Sequence, residues 1–521
     1  MAQIIHTHLM DREAPMDPDE QAQVYNGLDC CITHEVYSGL KKSADETSDA
    51  IYRLSFALQI PTIEASLRGM AVDLVYRDKL LAQNRKDSFI IESHFNKLCS
   101  LGLSGLFNYR SPKQLKDLFY SDAFLACTPI KKRNQKGQYI LSVDEKALLQ
   151  CKLHLTAQPF VNHILALRSM KKETDFLETP LTPDKRFPTS YNVVGTNSGR
   201  MSSAASDFGE GTNAQNIKRE LKRIIVADEG MKLGNVDLAQ ADSRNFGANC
   251  WTHLGPTHGW DFAGKYLDAC ESGDLHTTVA KMVWPTELPW GTLSDREIAE
   301  GTIFYKEDSY RQISKKTGHG TNYYGKPPQV SLETMIPIAM VKEFQERYFN
   351  NFPCIPALQQ WAINELRLGC LTNLFNRRRY FYGRSTDKNV QNEAIAFLGQ
   401  SCTADQVNYG MLNVWALNRV QILAQVHDSL FFQFPEKDED EIMPLIAEAM
   451  TIRLLLLNDR EFIVPVDLET GWNWGKYNDK SSRGKLNPDG MKSWSDHDTR
   501  SRTVSKPGSR FTVKNLLKHR V

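Results

Sequence analysis

The sequence predicts an α+β fold, a small antiparallel sheet set among long helices, and three observations point there. Asn235-Val236-Asp237-Leu238 reads as a strand that ends in a carboxylate and turns at once into the polar run Gln240-Ala241-Asp242-Ser243-Arg244. Ala424-Gln425-Val426-His427-Asp428-Ser429-Leu430-Phe431-Phe432 reads as a hairpin, with strand-like apolar residues on both sides of a His-Asp-Ser tip. The segments before and between these two carry mainly helical periodicity. A strand-end Asp has a fixed backbone and reaches into a cleft, but one carboxylate alone holds magnesium weakly. Asp237 and Asp428, brought from separate strands to meet over a sheet, would suit two-metal phosphoryl transfer.

A chain of 521 residues implies several domains, because single cores stop growing near roughly 250–300 residues. An apolar share of 41% and an aromatic share of 10% allow packed cores throughout. The net charge of +1 argues neither for nor against a polyanionic partner. Its distribution is uneven: Lys476 to Val521 holds 12 Lys and Arg against 4 Asp and Glu, leaving 51 against 58 in the rest. A basic tail of that kind fits either polyanion contact or a solvated, solubilising segment. The 10 cysteines are scattered without a C-x-x-C pair, as expected of reduced thiols rather than disulfides or zinc ligands. No apolar run approaches the roughly 20 residues of a membrane helix. These features together lead to the expectation of a soluble cytoplasmic protein with no membrane partner.

Taken in order, the chain opens polar and enters a helix-like run at Tyr25-Asn26-Gly27-Leu28-Asp29, where Tyr25 and Asp29 share a helix face. From Ile51 to about Lys172 the periodicity is largely helical, with Ile60-Pro61 expected to mark a helix boundary. Arg68 to Asp73 reads as a turn into a short extended piece, Ser111-Pro112 as a capped helix start, and Lys131-Lys132-Arg133 as an exposed loop. Thr196-Asn197-Ser198-Gly199-Arg200-Met201-Ser202-Ser203, followed by Asn213-Ala214-Gln215-Asn216-Ile217, offers an arginine, hydroxyls and amides. That composition suits phosphate or base-edge contact, and it equally suits a plain turn-rich loop. Asp274-Leu275-His276-Thr277 reads as a capped helix start. In the helix predicted from Arg311 to Gly325, Arg311, Lys315, His319 and Tyr323 recur every four residues and form one stripe about 18 Å long. Such a stripe fits a solvated amphipathic helix or a nucleoside triphosphate cradle, cations to the phosphates and rings to the base. Gly318 and Gly320 within it favour close substrate approach. Further helices are expected from Pro337 to Leu368 and from Glu393 to Trp415, the latter carrying Gln400 and Asp405. Asn376 to Tyr380 reads as a basic turn, Phe462 to Glu469 as a final strand, and Gly471 to Gly475 as the close of the fold.

In order and spacing, Asp237 to Arg244, the Arg311–Tyr323 helix, Val426-His427-Asp428-Ser429 and the segment 196–217 together resemble motifs A, B and C and the primer-template segment of the DNA polymerase I family (family A), most closely its bacteriophage replicative members. Residues 111–115, 274–277 and 377–379 echo the family more weakly, and the resemblance spans about residues 20–475. It implies a right-hand fold, with a palm antiparallel sheet, helical fingers and thumb, and a remnant of an exonuclease domain at the N-terminus. Residues 1–50 would be that remnant, 51–190 the thumb, 191–247 and 386–477 the palm, 248–385 the fingers and 478–521 the basic tail. It further implies template-directed, primer-dependent DNA synthesis. Two Mg2+ ions, for which Mn2+ could substitute, would be held by Asp237, Asp428 and the Leu238 backbone carbonyl. Gln240, Asp242, His276, Arg311, Lys315, His319 and Tyr323 would meet the dNTP, and Arg200, Asn216, Gln400 and His427 the primer-template DNA.

Three positions depart from the family pattern. Asp242 stands where Glu is usual, at the position that excludes the ribose 2′-hydroxyl. His319 replaces Phe or Tyr, and Ser429 replaces Glu. Because His-Asp-Ser also occurs in single-subunit phage RNA polymerases, an RNA polymerase-like enzyme is the rival with the same chemistry; a non-catalytic primer-template-binding subunit is the rival from another class. Tyr25-x-x-x-Asp29 resembles the last motif of the 3′–5′ proofreading domain. Asp11-Arg12-Glu13 has an acid spacing of the right type but no preceding apolar strand, and lies too near Asp29 to serve. The expectation is that proofreading is absent from this chain alone and that a separate polypeptide, docking on residues 1–50, completes the exonuclease domain. Replication in a host-cell cytoplasm, with a helicase, primase or processivity factor as further partners, is the expected setting for a phage-encoded enzyme.

Overall fold

A computed structural model describes residues 17–100, 107–134, 137–206, 208–291, 294–479 and 486–494. Asp11-Arg12-Glu13 and most of the basic tail lie outside the described residues. The chain divides into two compact units, Met1–Arg53 and Leu54–Val521. In the first, a helix spans Pro18–Ser43: Asp17 caps it by accepting from the backbone N–H of Asp19 and Glu20, Pro18 fills its first turn, and none of its residues is buried.

The second unit is organised on a five-stranded antiparallel sheet. Its strands are β1 (Met231–Leu238), β2 (Gln421–Val426), β3 (Ser429–Pro435), β4 (Val466–Gly471) and β5 (Lys492–Ser493), in the order β2-β3-β1-β4-β5. The period of two places Leu233, Asn235 and Asp237 on one face of β1 and Gly234, Val236 and Leu238 on the other. Val236 and Leu238 join Leu430, Phe432 and Phe434 in a core completed by two helices, Lys388–Leu417 and Glu439–Met450, through Val407, Met411, Ile442 and Ile446. Leu233 joins Phe431, Ile225, Phe187 and Trp474 in a second core on the opposite face. Asp467 and Glu469 on β4 and both residues of β5 remain exposed.

Two further clusters flank the sheet. Leu74–Ser100 and Gln158–Leu177 pack around Phe95, Phe119, Leu148 and Ile164. The helices α1 (Ala241–His258), α2 (Leu275–Val283), α3 (Tyr310–Asn322), α4 (Ile338–Asn351) and α5 (Cys354–Glu365) enclose Phe246, Tyr266, Ile313, Tyr348 and Leu358. The Lys388–Leu417 helix, α6, runs between this cluster and the sheet, contributing Ile395 and Leu398 to one core and Val407 and Met411 to the other.

Several expectations change. The helix Glu46–Arg68 runs through Pro61 instead of ending there, because Leu54, Leu58, Pro61 and Ala65 bury one face and the Thr62 hydroxyl bonds the Leu58 and Gln59 carbonyls. Lys131–Arg133 is not a loop but an exposed strand paired with Tyr139–Leu141. The strand expected over residues 462–469 is divided by Pro465, which has no N–H for a ladder. Glu461–Ile463 pairs with Arg453–Leu455, and only Val466–Gly471 enters the main sheet. The fold also continues past Gly475: Lys492 and Ser493 pair with Thr470 and Glu469.

Candidate active site

The two acids meet through strand register. Ser429 and Asp467 lie opposite Asp237 on β3 and β4. Asp428 sits one residue before Ser429, in the two-residue turn joining β2 and β3, where His427 takes a left-handed conformation (φ 56°). The Leu238 N–H donates to the Asp428 carbonyl (3.1 Å), tying the turn to the end of β1. Burial, then the charges of Asp428, Asp467 and Glu469, push the Asp237 carboxyl up to about 8. Burial also raises Asp428; Asp242 adds to the rise, while Arg200 and His427 oppose it. An all-oxygen pair under this much repulsion fits a hard divalent cation, which would relieve it. Among the described residues no group of three or more His, Cys, Asp or Glu could hold a metal by itself, so substrate phosphate and water would have to complete its shell.

The stripe of Arg311, Lys315, His319 and Tyr323 forms as expected up to its last residue. Ser309 and Gln312 make a capping box that starts α3, and the helix ends at Asn322, leaving Tyr323 as its C-cap. Lys315 and His319 are exposed, and the His319 and Tyr323 rings meet edge to face at 4.9 Å. Arg311 is committed to Asp274 through two hydrogen bonds of 2.7 and 2.9 Å. Although burial works against it, Arg311 and Thr277 hold Asp274 down to about 2. His276, the second residue of α2, is lowered to about 4 by burial, with Asp274 opposing and Arg311, Lys315 and His319 reinforcing. It is therefore a neutral imidazole among cations at pH 7. A Cβ on Gly318 would meet Tyr348 at 3.8 Å and one on Gly320 would meet Val330 at 3.2 Å, so the bare side of each is turned to a neighbouring helix.

Between stripe and acids lies Asp242, in the first turn of α1. Its Oδ1 accepts from Thr403 Oγ1 (2.8 Å) and Arg200 Nη2 (3.3 Å). The Tyr323 hydroxyl is buried and faces Asp242 without a hydrogen bond of good geometry, and its phenol is held well above its usual range by burial and then by that carboxylate. Gln240, in the left-handed region at φ 55°, makes the turn from β1 into α1.

The 196–217 segment bends against α6. Asn408 Nδ2 donates to the Gly199 carbonyl (3.1 Å), and the Arg377 guanidinium lies where a Gly199 side chain would be, 2.6 Å from an added Cβ. With φ +84°, that position needs glycine. Gln215 Nε2 donates to Gln425 Oε1 (3.0 Å), and Gln425 Nε2 to the His427 carbonyl (2.6 Å), linking this segment to the hairpin tip. Asn216 and His427 are exposed, and Gln400 is half-buried on α6. Tyr25 and Asp29 lie one turn apart and exposed on the Pro18–Ser43 helix.

Sequence reasoning missed Thr403 and Asp467. Asp467 was visible as one alternating acid in a strand, but its partner depended on sheet register. Thr403 looked like a core position of a mostly apolar helix.

Residues 91–476 match the family model described as DNA polymerase family A. The chain is 23% identical to DNA polymerase I of Synechocystis sp. over 496 residues, covering 88% of this chain and 46% of that protein. It is 25% identical to DNA polymerase I of Treponema pallidum over 489 residues, covering 88% and 44%. It thus spans about half the length of the curated relatives it matches. The structure is similar to the POL domain of Pol1 from M. smegmatis in complex with DNA primer-template and dNTP, at a TM-score of 0.64 and 22% identity, over 80% of this chain and 69% of that one.

Proposed function

The chain belongs to DNA polymerase family A, and on that premise we propose that it extends a DNA primer on a template strand, transferring nucleotides from dNTPs to the primer 3′-hydroxyl. The observation that carries the proposal is the repelling pair Asp237 and Asp428 at the end of the sheet. Electrostatic contacts run from that pair through Asp242 to Tyr323, and the His276 environment extends them to Arg311, Lys315 and His319.

Asp237 and Asp428, with the Leu238 carbonyl, would hold two divalent cations, Mg2+ in this reading. When bound, these supply Lewis acidity toward the 3′-hydroxyl and the phosphates. Lys315 brings its exposed ammonium to the triphosphate, Arg311 offers it the N–H groups that Asp274 leaves over, and neutral His276 donates to it without adding charge. Tyr323 and His319 present rings beside the nascent pair. Asp242 and Gln240 lie by the sugar. Arg200, Asn216, Gln400 and His427 face primer-template DNA.

In the same reading residues 191–247 and 386–477, which supply four of the sheet's five strands, are the palm. Residues 248–385 are the fingers, 51–190 the thumb, 478–521 a basic tail and 1–50 an exonuclease-like remnant. The exposed Tyr25, Ile32, Val36 and Leu40 on the Pro18–Ser43 helix support docking of another polypeptide segment there. The resemblance to bacteriophage replicative members leads to genome replication in a host cytoplasm, beside a helicase, primase or processivity factor. Among the described residues no helix is long and apolar enough to cross a membrane.

Primer extension on a primed template with dNTPs, with rNTPs, and on the same template unprimed tests the proposal. Efficient dNTP extension of the primer supports it. Efficient unprimed RNA synthesis would favour the RNA polymerase-like reading that Ser429 suggests, and binding of primed DNA without any synthesis would leave a non-catalytic subunit.

A further inference from the structure

We propose that Thr403 is a positioning residue that pins the Asp242 carboxylate, and that this pin sets how strongly the protein prefers deoxyribonucleoside over ribonucleoside triphosphates. The inference rests on the reading that Asp242 lies beside the incoming sugar.

The geometry assigns each proton. Thr403 is fully buried on α6, and its single hydroxyl proton has two acceptors in reach, Asp242 Oδ1 at 2.8 Å and the Gly399 carbonyl at 3.2 Å. The shorter, charge-assisted bond wins. Asn245, also fully buried, donates one amide proton to Thr403 Oγ1 (3.1 Å) and the other to Gln406 Oε1 (2.8 Å). That fills an acceptor site on the hydroxyl and directs its proton to Asp242. The relay ends on Oδ1, while Oδ2 lies 3.5 Å from Arg200 Nη2 and the Tyr323 phenol faces the same carboxylate.

Asp242 needs such a pin because it sits in the first turn of α1, and Gln240, the residue before that helix, provides no side-chain cap. The unsatisfied N–H groups and positive dipole end there attract a short carboxylate back onto the backbone. Asp, one methylene shorter than Glu, reaches those amides readily. Thr403 and Arg200 hold it outward instead, where it forms a fixed wall. Without the Thr403 hydroxyl the carboxylate can fold back, and the space it leaves admits a 2′-hydroxyl.

The test compares kcat/KM for matched dNTP and rNTP in single-nucleotide primer extension, using the full chain as wild type, Thr403→Val, Thr403→Ser, Thr403→Ala and Asp242→Ala. A hydrogen bond to a charged acceptor is strong enough that its loss shifts a population about tenfold or more. The dNTP-to-rNTP ratio should fall by about that factor in T403V and recover to within about threefold of wild type in T403S, which keeps the hydroxyl. A merely structural role would lower both rates and leave the ratio in place. T403A reports the same loss should the valine methyl not fit. A T403V or T403A ratio equal to wild type, with the D242A ratio reduced, overturns the role of Thr403 alone. A D242A ratio equal to wild type overturns the reading of Asp242 by the sugar, and this inference with it.

Discussion

Asp405 on α6 is completely buried, and its carboxylate accepts from Arg377 Nη2 (2.6 Å), Arg377 Nε (3.0 Å) and Asn373 Nδ2 (2.8 Å). Asp405→Ala removes one side of a buried ion pair and leaves the guanidinium, 12% exposed, without its counter-charge. Breaking such a pair from one side costs about 3–5 kcal/mol, whereas replacing both partners by apolar groups of similar volume is often near neutral. Urea unfolding should therefore show Asp405→Ala losing about 3–5 kcal/mol, and the double variant Asp405→Leu with Arg377→Met recovering most of it. Arg377 also packs on the bare backbone of Gly199, so the single variant should weaken primer-template binding through the Thr196–Arg200 turn. A loss below about 1 kcal/mol would refute the reasoning, because the carboxylate would then not be compensating a buried charge. A double variant as unstable as the single one would refute it too.

Two other outcomes follow from the site. His276 titrates near 4 in the fold against an ordinary value near 6.5, so the unfolded chain takes up the proton first as pH falls. Its contribution to stability is complete above about 6.5 and is lost as pH drops toward 4; His276→Gln should flatten the stability curve of the wild type over that window, and parallel curves would contradict the assignment. Tyr323→Phe removes a buried hydroxyl that faces Asp242 without a hydrogen bond of good geometry while keeping the edge-to-face contact with Phe246 at 6.3 Å. Thermal unfolding should show it neutral or stabilised by up to about 1 kcal/mol, and a loss larger than that would show that the hydroxyl is bonded.

What the sequence made legible was what local chemistry specifies. A strand-like run ending at Asp237 and a His-Asp-Ser tip between apolar strands predicted β1, β2 and β3, since turn chemistry and period-two patterning are local. The four-residue recurrence from Arg311 predicted the α3 stripe for the same reason. Long-range packing was not legible. Pro61 stays inside its helix because the core holds the helix on either side of it. Gly318 and Gly320 turn inward to Tyr348 and Val330, a direction set by a neighbouring helix and not by their own segment. The contacts of Arg200 and Thr403 with Asp242 join residues 42 and 161 positions apart, and only the fold brings them together.

The central claim is that Asp237 and Asp428 act as one centre for nucleotide transfer. The most direct measurement is single-turnover incorporation of one matched dNTP by wild type, Asp237→Asn and Asp428→Asn, with primer-template affinity measured in parallel. Each variant should bind the DNA within about threefold of wild type and incorporate at least about a thousandfold more slowly, the scale expected when a transition-state charge loses its preorganised partner. Incorporation by either variant at a rate near wild type, with DNA binding intact, would contradict the account.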